Sequence, residues 1–175
     1  MQSISYKSKN IYKSYALYLL SRREYSQKKL IMKIRGKHPD ISSKDLNNLI
    51  DYLLKNNYLS DLRYAEARVR YLIRRFYGER YILQTLRSEG VDTNIIKKAI
   101  SNFCNEFVAN NNFAYSWISQ IEKYLVKHSF YNNKLELSNE KRDNIAHYKY
   151  IKKWNNKLYL RGFDIIDIQQ ALNIS

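Results

Sequence analysis

Apolar residues recur along this chain at steps of three and four positions, which is the spacing of one face of an α-helix. Two such stripes comprise Ala65, Val69, Leu72 and Phe76 in one case, and Ala114, Trp117, Ile121 and Leu125 in the other. Each stripe covers one side of a helix, so each helix needs a neighbour to bury it. Gly and Pro number only four and one, which is few for the turns of a many-stranded sheet. The pattern therefore predicts an all-α protein.

One helical module recurs when Ile41, Val91 and Phe163 are aligned. Each anchor is followed by a residue whose side-chain oxygen can cap a helix N-terminus, namely Ser42, Asp92 and Asp164. Five positions after each anchor stands a second apolar residue, as in a hydrophobic staple, namely Leu46, Ile96 and Ile168. Gly90 and Gly162 precede two anchors, at the position where a helix ends through a left-handed residue. The same capped helix–turn–helix is therefore predicted three times.

A further helix is predicted before each of these pairs, near residues 8–23, 61–76 and 109–126. The expected units are 1–57 with an N-terminal tail, 58–107, and 108–175 with an inserted loop near 126–138. Ser138 then resembles the cap of a longer helix that runs towards Leu160. Tandem units of this kind bury their apolar faces against one another. We therefore expect three tandem three-helix repeats that form an elongated, curved body.

The charge of the chain points to a polyanionic partner. Lys and Arg number 31 against 16 Asp and Glu, for a formal net charge of +15. Residues 1–57 carry 12 basic and 4 acidic residues, so the excess is heaviest in the first unit. A chain of this charge is attracted to nucleic acid, or to a protein already assembled on nucleic acid. A composition bias towards Lys, Asn, Ile and Tyr is the alternative explanation of the charge.

Catalytic and metal-binding patterns find little support in the sequence. The three His residues are scattered, the four Gly residues are isolated, and Cys104 is the one cysteine. We therefore expect a protein that is not an enzyme and needs no metal or cofactor. The N-terminus lacks the apolar stretch of a signal peptide, and no run approaches the roughly 20 apolar residues that span a bilayer. A cytoplasmic monomer without membrane contact is the expectation.

Four segments, in order, resemble the RecX family. Residues 57–65 resemble its central Gly-Tyr-Leu-Asp-Asp-x-Arg-Phe-Ala motif, with departures at Asn57, Ser60 and Tyr64. Residues 77–91 contain its Tyr-Gly-x-x-x-Ile, Leu and Gly-Val positions. The other two segments are residues 16–30, with the Arg22-Arg23 pair, and residues 161–172, with Arg161-Gly162-Phe163. The resemblance covers 14–107 and 148–172 but is poor over 126–147.

The resemblance implies a three-repeat helical fold that lies in the groove of a RecA–DNA filament. The partner would then be the RecA filament on single-stranded DNA, with contacts to the phosphate backbone. Such a protein would restrain ATP hydrolysis and strand exchange by RecA, and so moderate recombination and the SOS response. Two alternatives remain open: a stand-alone basic nucleic-acid-binding protein, and a helical protein–protein adaptor unrelated to recombination.

The candidate contact residues are basic side chains on helices of the first two units. They are Arg22, Arg23, Lys29, Lys33, Arg63, Arg68, Arg70, Arg74 and Arg75. Lys29, Lys33 and Lys37 recur at steps of four and line one helix face, and Arg68 and Arg75 are expected to share another. A solvated helix face is the alternative for each. Arg63 is expected to pair with an acid or to contact phosphate, and Asp61 is expected to cap the helix that it begins.

The seventeen tyrosines also allow stacking on nucleic-acid bases. Most of them stand at helical spacing, however, and this favours packing with the hydroxyl at the surface.

Overall fold

The structure, a computed structural model, describes residues 2–111, 114–130 and 144–172, with side chains from residue 10 onward. Every regular element within these ranges is an α-helix, so the all-α prediction is confirmed. The helices are α1 (Gln2–Arg22), α2 (Gln27–Lys37), α3 (Ser43–Lys55), α4 (Asp61–Arg74), α5 (Glu79–Ser88), α6 (Thr93–Asn111), α7 (Trp117–Lys127), α8 (Asn144–Leu160) and α9 (Ile165–Leu172).

The three predicted caps form as expected. The Ser42 side chain accepts a hydrogen bond of 3.0 Å from the Asp45 amide. Asp92 and Asp164 accept equivalent bonds of 2.8 and 2.9 Å from amides in the first turns of α6 and α9. The anchor and staple residues are buried in all three places, namely Ile41, Leu46, Val91, Ile96, Phe163 and Ile168. The recurring capped module is thus confirmed at these three junctions.

The helices pack into two compact units. Unit 1 comprises Met1–Val69 and Thr85–Asn102, and unit 2 comprises Arg70–Gln84 and Phe103–Ser175. One hydrophobic core of unit 1 lies among α1, α2, α3 and the residues that follow α3, and it includes Ala16, Leu30, Ile34, Leu46, Leu53 and Leu59. The core of unit 2 includes Ile121, Tyr124, Leu125, Phe130, Trp154, Leu158, Phe163 and Ile168. The boundaries 1–57, 58–107 and 108–175 stay a prediction, as does the elongated shape.

Two helix ends differ from the prediction. Residues 109–111 still belong to α6, and the next helix begins only at Trp117, behind a Ser116 cap. Ala114 therefore lies outside the helix whose stripe it was predicted to join. Phe76 lies beyond the end of α4 and has a left-handed φ of 60°, because the Tyr77 amide bonds back to the Leu72 carbonyl and closes the helix. The predicted cap Ser138 lies outside the described residues, as does most of the predicted loop.

Asp61 does not cap its own helix, which corrects the prediction. The Ser60 hydroxyl accepts from the Arg63 amide at 3.3 Å and caps α4. The Asp61 carboxylate instead accepts a 2.7 Å hydrogen bond from the amide of Gln27, the first residue of α2. The first amides of a helix have no hydrogen-bond acceptor within it. Asp61 therefore supplies the acceptor for the first amide of α2, which lies 34 residues earlier in the chain. Burial raises the pKa of Asp61, and the Gln27 hydrogen bond opposes that rise.

Candidate nucleic-acid interface

A basic cleft lies in unit 1 between α1 and α2. It has a volume of about 600 Å³, within the range of about 300–1,000 Å³ typical of ligand sites. Its lining comprises Tyr15, Arg23, Tyr25, Lys29, Met32, Lys33, Gly36 and Lys37. Half of these residues carry a positive charge, so the cleft suits an anionic ligand.

The lysines of the cleft are placed by the helical repeat of α2. Ser26 caps this helix, and Leu30 and Ile34 on its inner face are buried. Lys29, Lys33 and Lys37 follow one another at single turns, with a rise of about 6 Å for each step of four. Neighbouring phosphates of an extended single strand are separated by a similar distance. This spacing of the lysines therefore matches a polyanion better than it matches a single charge.

Aromatic rings form part of the cleft wall. Tyr25 is buried, with 6% of its surface exposed, and the Arg23 guanidinium lies 4.7 Å from its ring centroid. Tyr15 is half-buried and contacts the His38 ring edge-on, at 5.4 Å between centroids. Both rings are therefore held in place before any ligand binds. Stacking on a base requires an exposed ring face, so the half-buried Tyr15 is the better candidate of the two rings.

Lys29 also belongs to an ion-pair cluster, defined here as the Glu89 cluster. The Lys29 ammonium lies 2.6 Å from Glu89 Oε1 and 2.9 Å from the Tyr64 hydroxyl. The Tyr64 hydroxyl donates to Glu89 Oε2 at 2.7 Å, and Arg68 Nη2 lies 3.1 Å from Oε1. The buried Ser26 hydroxyl donates to the Glu89 carbonyl at 2.7 Å. The Glu89 side chain is only 11% exposed, so its charge depends on these donors.

The donors decide the charge state of the Glu89 cluster. Burial alone raises the pKa of Glu89, but the hydrogen bonds from Lys29 and Tyr64 and the charge of Arg68 outweigh it, and the net pKa is lowered. Burial lowers the pKa of Lys29, and its bonds to Glu89 and Tyr64 reverse that effect, so its pKa is raised. Both groups are therefore ionised at neutral pH, and Lys29 is fixed at the edge of the cleft.

Replacing Glu89 by Gln is expected to lower the free energy of unfolding by about 2 kcal/mol at neutral pH, because hydrogen bonds to charged groups are lost. The effect should depend on pH. The folded-state pKa of Glu89 is depressed, so its stabilisation is present above the unfolded-state pKa and is lost as pH falls through the folded-state pKa. Urea unfolding at neutral and acidic pH measures both effects, and the gap between variant and parent should narrow in acid.

Glu106→Gln provides the matched control. Glu106 is 57% exposed and lies 3.7 Å from Arg70, so this substitution should cost less than about 0.5 kcal/mol. Equal losses in the two variants would contradict the structural role given to Glu89.

Four of the nine predicted contact residues form ion pairs within the chain. Lys29 and Arg68 bind Glu89, Arg70 binds Glu106, and Arg63 binds Glu24 at 2.9 Å. Arg63 Nη2 also donates to the carbonyls of Asn57 and Tyr58, where the chain leaves α3 through the left-handed Asn57. Arg63 thus has the acid partner that was one of its two predicted roles, and its contact to phosphate stays a prediction.

The other five predicted residues are exposed, and they are Arg22, Arg23, Lys33, Arg74 and Arg75. Arg75 follows the last residue of α4, and its amide still bonds back to the Leu72 carbonyl at 3.0 Å, so the face that it shares with Arg68 stays a prediction. The cleft brings together Arg23, Lys29 and Lys33 from the predicted set.

Tyr15, Tyr25 and Met32 also line the cleft, and they were not predicted from the sequence. Their helical spacing indicated only that they pack against other residues. The side of α1 that contacts α2 is decided by the tertiary structure, so the cleft was not visible in the sequence. Lys37 also lines the cleft; its spacing placed it on the face of Lys29 and Lys33, although it was not among the nine candidate contact residues.

Metal-ligating side chains do not assemble in the described residues. No three His, Cys, Asp or Glu side chains there come together in a way that would hold a metal ion. Burial and, to a lesser degree, the charge of Glu79 raise the pKa of the Cys104 thiol, which disfavours the nucleophilic thiolate. No helix in the described part of the chain is both long and apolar enough to span a bilayer.

Comparison with known proteins identifies the family. Residues 60–100 match the model of the RecX second three-helix domain. A regulatory protein RecX of Legionella pneumophila (strain Corby) is 31% identical over 127 residues, which cover 66% of this chain and 83% of that protein. A regulatory protein RecX of Vibrio campbellii is 38% identical over 89 residues, which cover 51% of this chain and 56% of that protein.

A solved structure has the same fold. The crystal structure of RecX from Lactobacillus salivarius matches with a TM-score of 0.72 at 20% identity, over 95% of this chain and 96% of that one. A second crystal structure of a regulatory protein RecX matches with a TM-score of 0.66 over 99% of this chain and 77% of that one. With the extended identity to the Legionella protein, these findings show that the chain belongs to the RecX family of regulatory proteins.

Proposed function

We propose that this protein binds the RecA filament on single-stranded DNA and restrains its ATP hydrolysis and strand exchange, and through them the SOS response. Membership of a family of regulatory proteins is the observation that carries the proposal. The protein acts by binding and not by catalysis, in the cytoplasm and as a monomer.

The basic cleft supports a role for DNA within this function. Arg23, Lys33 and Lys37 are exposed at its rim, whereas Lys29 is fixed by Glu89. Each phosphate that such a residue neutralises on a single strand releases bound cations and adds about 0.7 to the salt dependence of binding. The cleft therefore supplies contacts to the DNA of the filament, and the protein subunits of RecA supply the remainder of the binding surface.

The decisive experiment measures ATP hydrolysis and strand exchange by the cognate RecA on single-stranded DNA, with this protein added up to stoichiometric ratios. Both rates should fall as the protein is added. Unchanged rates at equal concentrations of the two proteins would contradict the proposal.

The cleft also favours the second candidate, a stand-alone nucleic-acid-binding protein. Binding to single-stranded DNA without RecA would then be tight near physiological salt and would weaken steeply as salt is raised. Weak binding without RecA, together with a fall in ATP hydrolysis when RecA is present, would favour the filament ligand instead.

A further inference from the structure

Three basic groups surround one buried tyrosine in unit 2, outside the cleft and outside the predicted contact residues, and a fourth lies over the phenylalanine beside it. The Tyr124 ring is 1% exposed. The Arg161 guanidinium lies 4.4 Å from its centroid, the Lys157 ammonium 5.5 Å and the His128 ring 4.3 Å. Lys127, the neighbour of His128 and the last residue of α7, lies over the adjacent Phe76 ring at 5.2 Å.

Packing holds the basic groups in place. Lys157 lies 4.3 Å from the Trp154 ring centroid, and Trp154 is itself buried. Arg161 Nη1 donates to the carbonyls of Arg75 and Phe76, at 2.9 and 3.2 Å. Cation–π contacts favour such positions, by about 0.5–1 kcal/mol at exposed sites. The fold therefore holds Lys157 and Arg161 in place through ring contacts and hydrogen bonds, which a fully solvated helix face would not provide.

Acidic partners are missing from this cluster within the described residues. None of the four basic groups forms an ion pair there, and the Tyr124 hydroxyl is buried without a hydrogen-bond partner. Like charges brought together without a counter-charge repel one another. A bound anion would remove this repulsion and would be held by several donors at once.

We propose that Lys127, His128, Lys157 and Arg161 form a phosphate-binding site on unit 2. Arg and Lys bind phosphate oxygens through charge-assisted hydrogen bonds, and a protonated His128 adds a third kind of donor. The shared chemistry is a phosphate group, which either the backbone of a single strand or free phosphate can supply. This site shares no residue with the cleft, and it does not depend on RecA.

Binding at this site should be sensitive to pH. Partial burial lowers the pKa of His128, and so do the charges of Lys157, Arg161 and Lys127. These charges face the imidazole from α7, from α8 and from the residue after α8, and Tyr124 and Trp154 provide the aromatic surfaces. A bound phosphate stabilises the imidazolium and raises its pKa, so affinity is highest below the free-protein pKa. Affinity declines as pH rises through the pKa of the complex.

The test follows the His128 ring signals by NMR through a pH titration of the full chain. His128→Asn assigns the signals among the three histidines. Titrations are run in sodium chloride, in inorganic phosphate and with a thymidine oligonucleotide, all at equal ionic strength. In chloride the pKa of His128 should lie below its ordinary value. It should rise with both probes if the source is a nucleic-acid backbone, and with inorganic phosphate alone if the source is free phosphate.

No rise above the chloride control with either probe would overturn the proposal. A His128 pKa above its ordinary value in chloride would also overturn it, because that result would place an acid in the cluster.

Paired variants test the lysines. Lys127→Gln and Lys157→Gln, both at exposed positions, should raise the pKa of His128 in chloride and diminish its response to phosphate. With an oligonucleotide that binds here, the double variant should lower the slope of log affinity against log salt by about 1.4, since each single-strand contact contributes about 0.7.

Lys152→Gln is the matched control. It removes one charge from the same helix at a residue that faces Tyr148, 5.8 Å away, and about 140° around the helix from Lys157. An equal effect of Lys152→Gln on His128 would show that net charge and not this site is responsible.

Discussion

Replacing Gly162 by Ala is expected to lower the free energy of unfolding by about 3 kcal/mol, from left-handed strain and overpacking together. Gly162 follows α8 with φ of 83°, in the left-handed region. A Cβ there would also lie 2.5 Å from Tyr81 Cβ and 2.8 Å from Tyr81 Cα. Both costs arise at one atom, and neither is relieved by turning a flexible side chain.

Hydrogen bonds hold the backbone at Gly162, so it cannot easily move away from Tyr81. The Gly162 carbonyl accepts from the Arg80 amide at 3.1 Å, and the Arg161 carbonyl accepts from the Gly78 amide at 2.8 Å. Gly78 is equally confined, because a Cβ on it would lie 2.5 Å from the Phe163 amide nitrogen. The first turn of α5 and the end of α8 therefore meet backbone to backbone, and two glycines permit the approach.

Gly36→Ala is the matched control for this prediction. Gly36 lies within α2, and a Cβ there would meet no atom within 4 Å. This change should raise stability by up to about 1 kcal/mol, because Ala favours the helix over Gly. Urea unfolding followed by the fluorescence of Trp117 and Trp154 gives the comparison for Gly162→Ala, since both rings belong to unit 2, and circular dichroism gives it for Gly36→Ala. If Gly162→Ala were neutral, the close approach described for Gly78 and Gly162 would be wrong.

The combined substitution of Arg23, Lys33 and Lys37 by Gln is expected to weaken binding to single-stranded DNA about 100-fold at 0.1 M salt. Three lost phosphate contacts should also lower the slope of log affinity against log salt by about 2. All three residues are exposed at the cleft. Lys29 is left unchanged, because its pair with Glu89 contributes to stability. Fluorescence anisotropy of a labelled oligonucleotide over a range of salt concentrations measures both quantities.

The matched control removes the same charge elsewhere in unit 1. Lys44, Lys55 and Lys97 are exposed and lie outside the cleft lining, so their joint substitution by Gln should reduce affinity far less. Neither triple variant should change stability by more than about 0.5 kcal/mol per site. Equal losses of affinity in the two variants would show that binding depends on the net charge of +15 and not on the cleft. That result would favour composition bias as the explanation of the charge.

The features that the sequence predicted correctly are those set by neighbouring residues. Caps such as Ser42, Asp92 and Asp164 bond to amides two or three positions later, and Gly90 and Gly162 adopt the left-handed φ predicted for a helix end. The spacing of apolar residues likewise fixes which side of each helix is buried. The family motifs are also short segments of the chain, and their order and spacing were enough to recognise them.

The sequence by itself thus determined the helices and their capped junctions, because both depend on contacts within about five residues of the chain, and the order of its motifs indicated the family. Only the tertiary structure decided the use of the polar groups. In the folded chain, Asp61 accepts a hydrogen bond from the Gln27 amide. Lys29 and Arg68 form ion pairs with Glu89, and Arg63 forms one with Glu24. The tertiary structure also formed the cleft between α1 and α2 and brought four basic groups to the adjacent rings of Tyr124 and Phe76. The physical reason is that the energy of a charge depends on its partners and its burial in space, and partners that are 60 or more residues apart leave no periodic signal in the sequence.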